Sequence, residues 1–125
     1  MEFKIDTKPS YSIITPAYNV LDANLTGALR QKWEELAQSG SHNVIVDLSA
    51  VSSAVESALE SLLTLHQDCY SSDQSLVFTN VSGDVLSVLK KKELHHTINL
   101  APTLIEAVDI ISMEILERDL FNEES

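Results

Sequence analysis

Residues 44–48 are the tightest constraint on how this chain can fold. Val44, Ile45, Val46 and Leu48 form a short, mostly β-branched apolar run. The run is too short for a helix and continuous rather than alternating, the pattern of a strand covered on both faces within a parallel sheet. Asp47 and residues 49–53 then supply turn and cap chemistry. From Ser57 onward Leu59, Leu62, Leu63, His66 and Tyr70 recur at helical spacing. Strand, polar loop and amphipathic helix in succession make the repeating unit of an α/β sheet, and the loop that leaves the carboxyl end of such a strand usually carries function.

The flanking segments extend the pattern. Phe3 to Asp6 alternates as an edge strand does, Lys8-Pro9-Ser10 breaks it, and Tyr11 to Ile14 begins a second strand that Pro16 ends, so the two suggest a hairpin. A helix is predicted from Asp22 to about Ser39, because Leu25, Leu29, Trp33 and Leu36 share a face and Gly40 stops the run. After a loop at Ser71-Ser72-Asp73, Leu76-Val77-Phe78 reads as the next buried strand. Ser82 then caps a short helix that holds Val85, Val88 and Leu89. Ile98 to Leu100 is predicted as a last short strand. Thr103 and Glu106 form a capping box before Ala107, Val108, Ile111 and Ile115, in a helix expected to reach about Arg118. Residues 119–125 are expected to fray, since the Asn122-Glu123-Glu124-Ser125 end has too little apolar character to be held. The order ββαβαβαβα predicts an α/β fold, a single mixed sheet of four or five strands with about four helices packed over it. At 125 residues and 44% hydrophobic composition this is one domain with enough burial for a real core.

Charge narrows the function classes. Nineteen acidic against eight basic side chains give a net charge of −11. Such a surface repels phosphate backbones and anionic headgroups, which argues against nucleic-acid binding or membrane-surface binding as the main activity. Lys90-Lys91-Lys92 is a local basic run, read as a solvated helix end where cations favour the helix dipole. Without a charged-then-apolar leader or an apolar run near about 18 residues, the chain is expected to be neither exported nor inserted in a membrane. A single cysteine, Cys69, excludes an internal disulfide, fits a reducing cytoplasm and reads as a small buried hydrophobe near a helix end.

Little in the sequence supports catalysis. His95 and His96 are adjacent, so on a regular element they point apart, and no third ligand stands at metal spacing; they read as surface histidines. His66 falls on the apolar side of its helix and reads as a packing residue, and His42, in the turn after Gly40, has no indicated role. With three glycines in the chain there is no phosphate loop, and no Gly-x-Ser-x-Gly elbow activates a serine. Neither a metal nor a cofactor is called for. Asp47 caps its loop or takes part in recognition, two readings of equal weight.

The segment Asp47-Leu48-Ser49, then Val55-Glu56-Ser57-Ala58, then Leu59 and the Leu62-Leu63 pair resembles the signature of the STAS domain, the anti-sigma-factor antagonist family. Members of that family show a hydrophobic strand, Asp-Leu-Ser, a spacer, Asp-Ser-Ser-Gly, and Leu followed by a Leu-Leu pair. Asn19 to Ala23 is similar to the family's first loop, although its glycine is missing, and Asn80-Val81-Ser82 resembles the stretch after the later strand. The resemblance implies a cytoplasmic, non-enzymatic regulator of a partner-switching system that docks on an anti-sigma factor or kinase-like protein. The implied surface comprises Ser49, Ser53, Glu56, Ser57, Glu60, Ser61 and Thr64. An alternative the family also offers is an accessory or assembly subunit of a membrane transporter, and a homodimer is compatible with either. In the family the first serine of the tetrad is the phosphoacceptor, and here Glu56 holds that place, leaving Ser57 as the candidate hydroxyl. Two readings of Glu56 stand side by side: a permanent charge in place of phosphate, and a helix-opening acid in a Ser53-x-x-Glu56 capping box.

Overall fold

A computed structural model describes residues 1–40 and 43–124, so His42 and Ser125 lie outside the described residues. Five strands form one sheet: β1 (Phe3–Thr7), β2 (Ser12–Pro16), β4 (Val44–Asp47), β6 (Leu76–Thr79) and β7 (Leu100–Ala101), in that spatial order. β1 pairs antiparallel with β2, and every later pairing is parallel, which makes the sheet mixed. β4 is the central strand, with Val44 opposite both Ser12 and Leu76.

The continuous apolar run of β4 is explained by what lies on each side of it. Val44 and Val46 join Ile14, Leu76 and Phe78 on one face of the sheet. Over them pack α1 (Ala23–Gln38), α2 (Leu59–Ser71) and α3 (Gly83–Lys91), through Leu25 and Leu29, Leu62 and Leu65, and Val85 and Leu89. Ile45, with Ile13 and Val77, points to the other face, where Ala107 and Ile111 of α4 (Leu104–Glu124) cover it. Alternate side chains of one strand are thus buried in two separate clusters, each fully buried leucine or phenylalanine contributing roughly 1.5–3 kcal/mol of transfer free energy.

The helix ends follow their local chemistry. Asp22 caps α1, its Oδ1 accepting the Leu25 N–H at 2.9 Å, and Gly40 leaves that helix at φ +97°, a conformation glycine adopts freely. Within α1, Trp33 donates from Nε1 to Oε1 of Gln74, fixing the helix to the turn before β6. Ser82 caps α3 through the Val85 N–H, and Thr103 caps α4 through the Glu106 N–H.

Several expectations need correction. Two strands were not foreseen, β3 (Val20–Leu21) and β5 (Ser53–Ala54), which pair in parallel as a separate ribbon. Ser53 belongs to that ribbon, so it does not cap a helix with Glu56; the chain enters α2 through a 3₁₀ turn at Glu56–Ala58 that has no side-chain cap. The last strand is Leu100–Ala101, because Ile98 is buried within the preceding turn. The rings of His95 and His96 lie in a turn, neither helix nor strand, and their centroids approach to 3.8 Å rather than diverging. Finally, α4 runs beyond Arg118 to Glu124. Arg118 explains part of that length: its guanidinium donates to Ser75 Oγ at 3.1 Å and Asn43 Oδ1 at 2.9 Å, tying the helix to the sheet a full three turns after Ala107.

Candidate functional site

The loop that follows β4 is shaped by hydrogen bonds from both sides. Asp47 Oδ1 accepts the Ser49 N–H at 3.0 Å and the Asn80 amide at 3.1 Å, which closes the turn and joins it to the chain leaving β6. This is the capping role weighed for Asp47. Buried Leu48 and Val51 anchor the loop in the core. The Ser52 N–H then donates to the Asn19 carbonyl and the Val55 N–H to the Leu21 carbonyl, each at 2.9 Å, so the short ribbon holds the site loop against the start of α1. Ala58, where the resemblance has glycine, is fully buried and admits nothing larger without displacement.

That frame leaves Glu56 and Ser57 at the surface as α2 begins. All seven residues of the expected docking surface, Ser49, Ser53, Glu56, Ser57, Glu60, Ser61 and Thr64, are exposed. The last five fall at spacings of three and four, a continuous outward stripe along the 3₁₀ turn and the first two turns of α2. Ser49 and Ser53 stand apart from that stripe, on the turn and the ribbon. The Thr64 hydroxyl donates to the Glu60 carbonyl at 2.9 Å and is thus engaged within its own helix.

Residues overlooked in the sequence complete the site. Lys91 Nζ lies 2.8 Å from Glu56 Oε1, and Lys92 Nζ lies 3.6 Å from Oε2. The basic run is therefore not a bare solvated helix end: two of its three lysines clamp the carboxylate. α3 delivers them because it ends in a Schellman turn, with the Glu93 N–H bonded to the Lys90 carbonyl, the Leu94 N–H to the Leu89 carbonyl, and Glu93 at φ +58°. The hydrogen bond and charge of Lys91, with the charge of Lys92 added, hold the Glu56 carboxyl below its ordinary range, and Glu56 raises Lys91 in return. An acid at the amino end of one helix meets cations at the carboxyl end of another, the arrangement both helix dipoles favour.

Beside this clamp lies an open cavity of about 660 Å³, lined by Glu56, Ser57, Glu60, Leu63, Lys92 and Leu94. Its floor is apolar and its rim charged. Nothing in it resembles a nucleophile paired with a base, and among the described residues no three of His, Cys, Asp and Glu cluster to hold a metal ion. A second cleft, of about 510 Å³, lies between Tyr70, Glu114, Arg118 and Phe121. Two of its polar groups are bonded to each other: the Tyr70 hydroxyl donates to Glu114 Oε1 at 2.7 Å and receives the Asn99 amide. Cys69 is buried, and desolvation pushes its thiol up to about 12, so it is no nucleophile. No helix among the described residues is long and apolar enough to cross a membrane.

Comparison with known proteins agrees with this architecture. The STAS domain family model matches residues 2–107. A Thermotoga maritima protein of known structure superposes with a TM-score of 0.76 at 17% identity, covering 88% of this chain and 94% of that one. RsbS from Moorella thermoacetica, solved with a serine-to-glutamate substitution, gives 0.73 at 16% identity over 94% and 99% of the two chains. The anti-sigma factor antagonist SpoIIAA of Bacillus, in its unphosphorylated form, gives 0.68 at 18% identity over 89% and 96%. At these identities the likeness is one of fold. No curated protein sequence matches the chain.

Proposed function

The chain belongs to the STAS domain family, and from that premise we propose that it is a non-catalytic docking protein of the partner-switching kind, with the surface around Glu56 as its contact. The observation that carries this reading is the clamp of Lys91 and Lys92 on Glu56, set beside an apolar-floored cavity and a stripe of exposed Ser57, Glu60, Ser61 and Thr64. A partner meets neither a bare carboxylate nor a hydroxyl there. It meets one anion held by two ammonium groups, with the Glu60 carboxylate one turn further along α2.

In this reading Glu56 stands where relatives keep a phosphoacceptor, and it supplies a permanent charge with two acceptor oxygens where phosphate would add three and a larger charge. Ser57 is turned by about 120° from that position along the 3₁₀ turn, away from the reach of a kinase built for it. The docking surface is thus fixed in one state. The partner would be an anti-sigma factor or a kinase-like regulator in the cytoplasm. The lack of a hydroxyl at position 56 also favours a second reading, a subunit that assembles permanently on a transporter, where no phosphate cycle is needed.

Titration of wild type, Glu56→Ser and Glu56→Ala against the partner captured by affinity purification tests the proposal. Glu56→Ser should change affinity by more than about tenfold, because it leaves two lysines unpaired at the centre of contact. Equal affinities across the three would reduce Glu56 to a surface ion pair, and phosphate on Ser57 in cells would restore a switch one residue displaced. A kinase-like partner selects the first reading and a transport ATPase the second.

A further inference from the structure

α4 is apolar on two opposite sides, and only one of them is used. Ala107 and Ile111 face the sheet and are fully buried. On the far side Ile105, Met113, Leu116 and Leu120 are 75%, 61%, 58% and 52% exposed. Their positions place them on one outward stripe, about 22 Å long from Ile105 to Leu120. A helix with apolar residues on two opposite sides has a second stripe to bury beyond the one that faces its own core. Met113, Leu116 and Leu120 also lie beyond residue 107, where the family match ends.

The border of the stripe identifies what covers it. Glu106, Asp109, Glu117 and Asp119 are exposed along or within it. The one cation of the helix, Arg118, is turned inward to Ser75 and Asn43 and offers no charge to this side. An anionic lipid surface would be repelled by this border, and a second copy of the chain would set these acids against themselves, on molecules that each carry a net charge of −11. We infer that the outer face of α4 is a second docking surface, on the side of the sheet away from Glu56, and that its occupant is an amphipathic helix of another protein whose apolar stripe is flanked by lysine or arginine. Apolar side chains at spacings of three and four would interleave with Met113, Leu116 and Leu120, while the flanking cations meet Glu106, Glu117 and Asp119. The inference stands independently of the role assigned to Glu56.

The test is titration of the full chain with two synthetic helical peptides, both with leucine along one face, one with lysine and the other with glutamate on the remaining positions. The lysine peptide should bind wild type, and the glutamate peptide should not. The Leu116→Ser/Leu120→Ser variant, changed only at exposed positions and checked for an unchanged circular dichroism spectrum and melting temperature, should bind the lysine peptide at least about tenfold more weakly. Glu56→Ser should bind it as wild type does. The inference is overturned if wild type does not bind the lysine peptide or binds both peptides equally, or if the double variant binds as wild type does. It is likewise overturned if Glu56→Ser loses binding, or if sedimentation shows a wild-type dimer that the double variant dissolves.

Discussion

His66 Nε2 accepts the backbone N–H of Asn99 at 3.2 Å, so this nitrogen carries no proton in the folded protein. The bond joins α2 to the segment that leads into β7. The imidazole ring lies 4.7 Å from that of Tyr70, whose hydroxyl bonds Glu114. Burial lowers the pKa of His66, and the Glu114 charge opposes this only in part. Between the folded value and the unfolded value near about 6.5, the unfolded chain binds more protons, so stability rises with pH through that window. The contribution is fully present above the unfolded value and is lost as pH falls through the folded one. Urea unfolding from about pH 7 to about pH 5 should show wild type losing more stability than His66→Gln, whose amide oxygen accepts the same N–H without titrating. Parallel pH profiles for the two would remove His66 from the acid response.

The clamp on Glu56 has a signature that needs no partner. In wild type the Glu56 carboxyl titrates below the ordinary glutamate value, with the Lys91 hydrogen bond as the main cause. Lys91→Ala should move that titration upward, toward the ordinary value, as followed by carboxyl chemical shift in NMR. An unmoved midpoint would mean that the ion pair does not persist in solution. Added salt should have the same direction of effect in wild type, since both partners are exposed.

Adjacent leucines of α2 should separate in cost. Leu62 is fully buried in the core, whereas Leu63 is half-buried at the cavity wall. Leu62→Ala should destabilise by about 2–5 kcal/mol and Leu63→Ala by less than about 2 kcal/mol, measured by denaturant unfolding. In exchange, Leu63→Ala should weaken partner binding and Leu62→Ala should not, once folded protein is compared. Equal losses of stability would place both side chains in the core.

Cys69 is fully buried, with its thiol pushed up to about 12 by desolvation. A thiol reagent at about pH 8 should leave native protein unmodified and react at once in denaturant. Fast labelling of the native state would show that the end of α2 opens locally.

The central strand was legible because consecutive rather than alternating apolar residues call for burial on both faces, and Val44, Ile45 and Val46 do divide between two clusters. α2 was legible from its spacing, and all seven expected surface residues are exposed. The ribbon of Val20–Leu21 with Ser53–Ala54 was not. Two residues per strand make no pattern, and the pairing consists of backbone hydrogen bonds between segments far apart in the chain. Nor was the Glu56–Lys91 contact, which depends on how two helix ends meet, although an acid opening one helix and a lysine run closing the next was a signal available for it. The outer part of α4 was misread for a different reason. The helix was expected to end near Arg118 because the acidic end of the chain is poor in apolar residues, whereas it continues to Glu124 with Leu116 and Leu120 turned away from the core.

Beyond the first hairpin, spatial order in the sheet follows chain order, β2, β4, β6, β7, so each new strand is laid beside the one made before it. Three helices arrive along the way, all for the same face. Among the described residues the opposite face, with Ile13, Ile45 and Val77, is covered by α4, which follows every strand of the sheet in the chain. During translation the growing chain therefore passes through a state with a finished half-core and a bare apolar wall, and it stays sticky until α4 has left the ribosome. Ribosome-bound chains halted before Leu104 would be expected to recruit chaperones, and those halted after Glu124 and a tunnel-spanning linker would not.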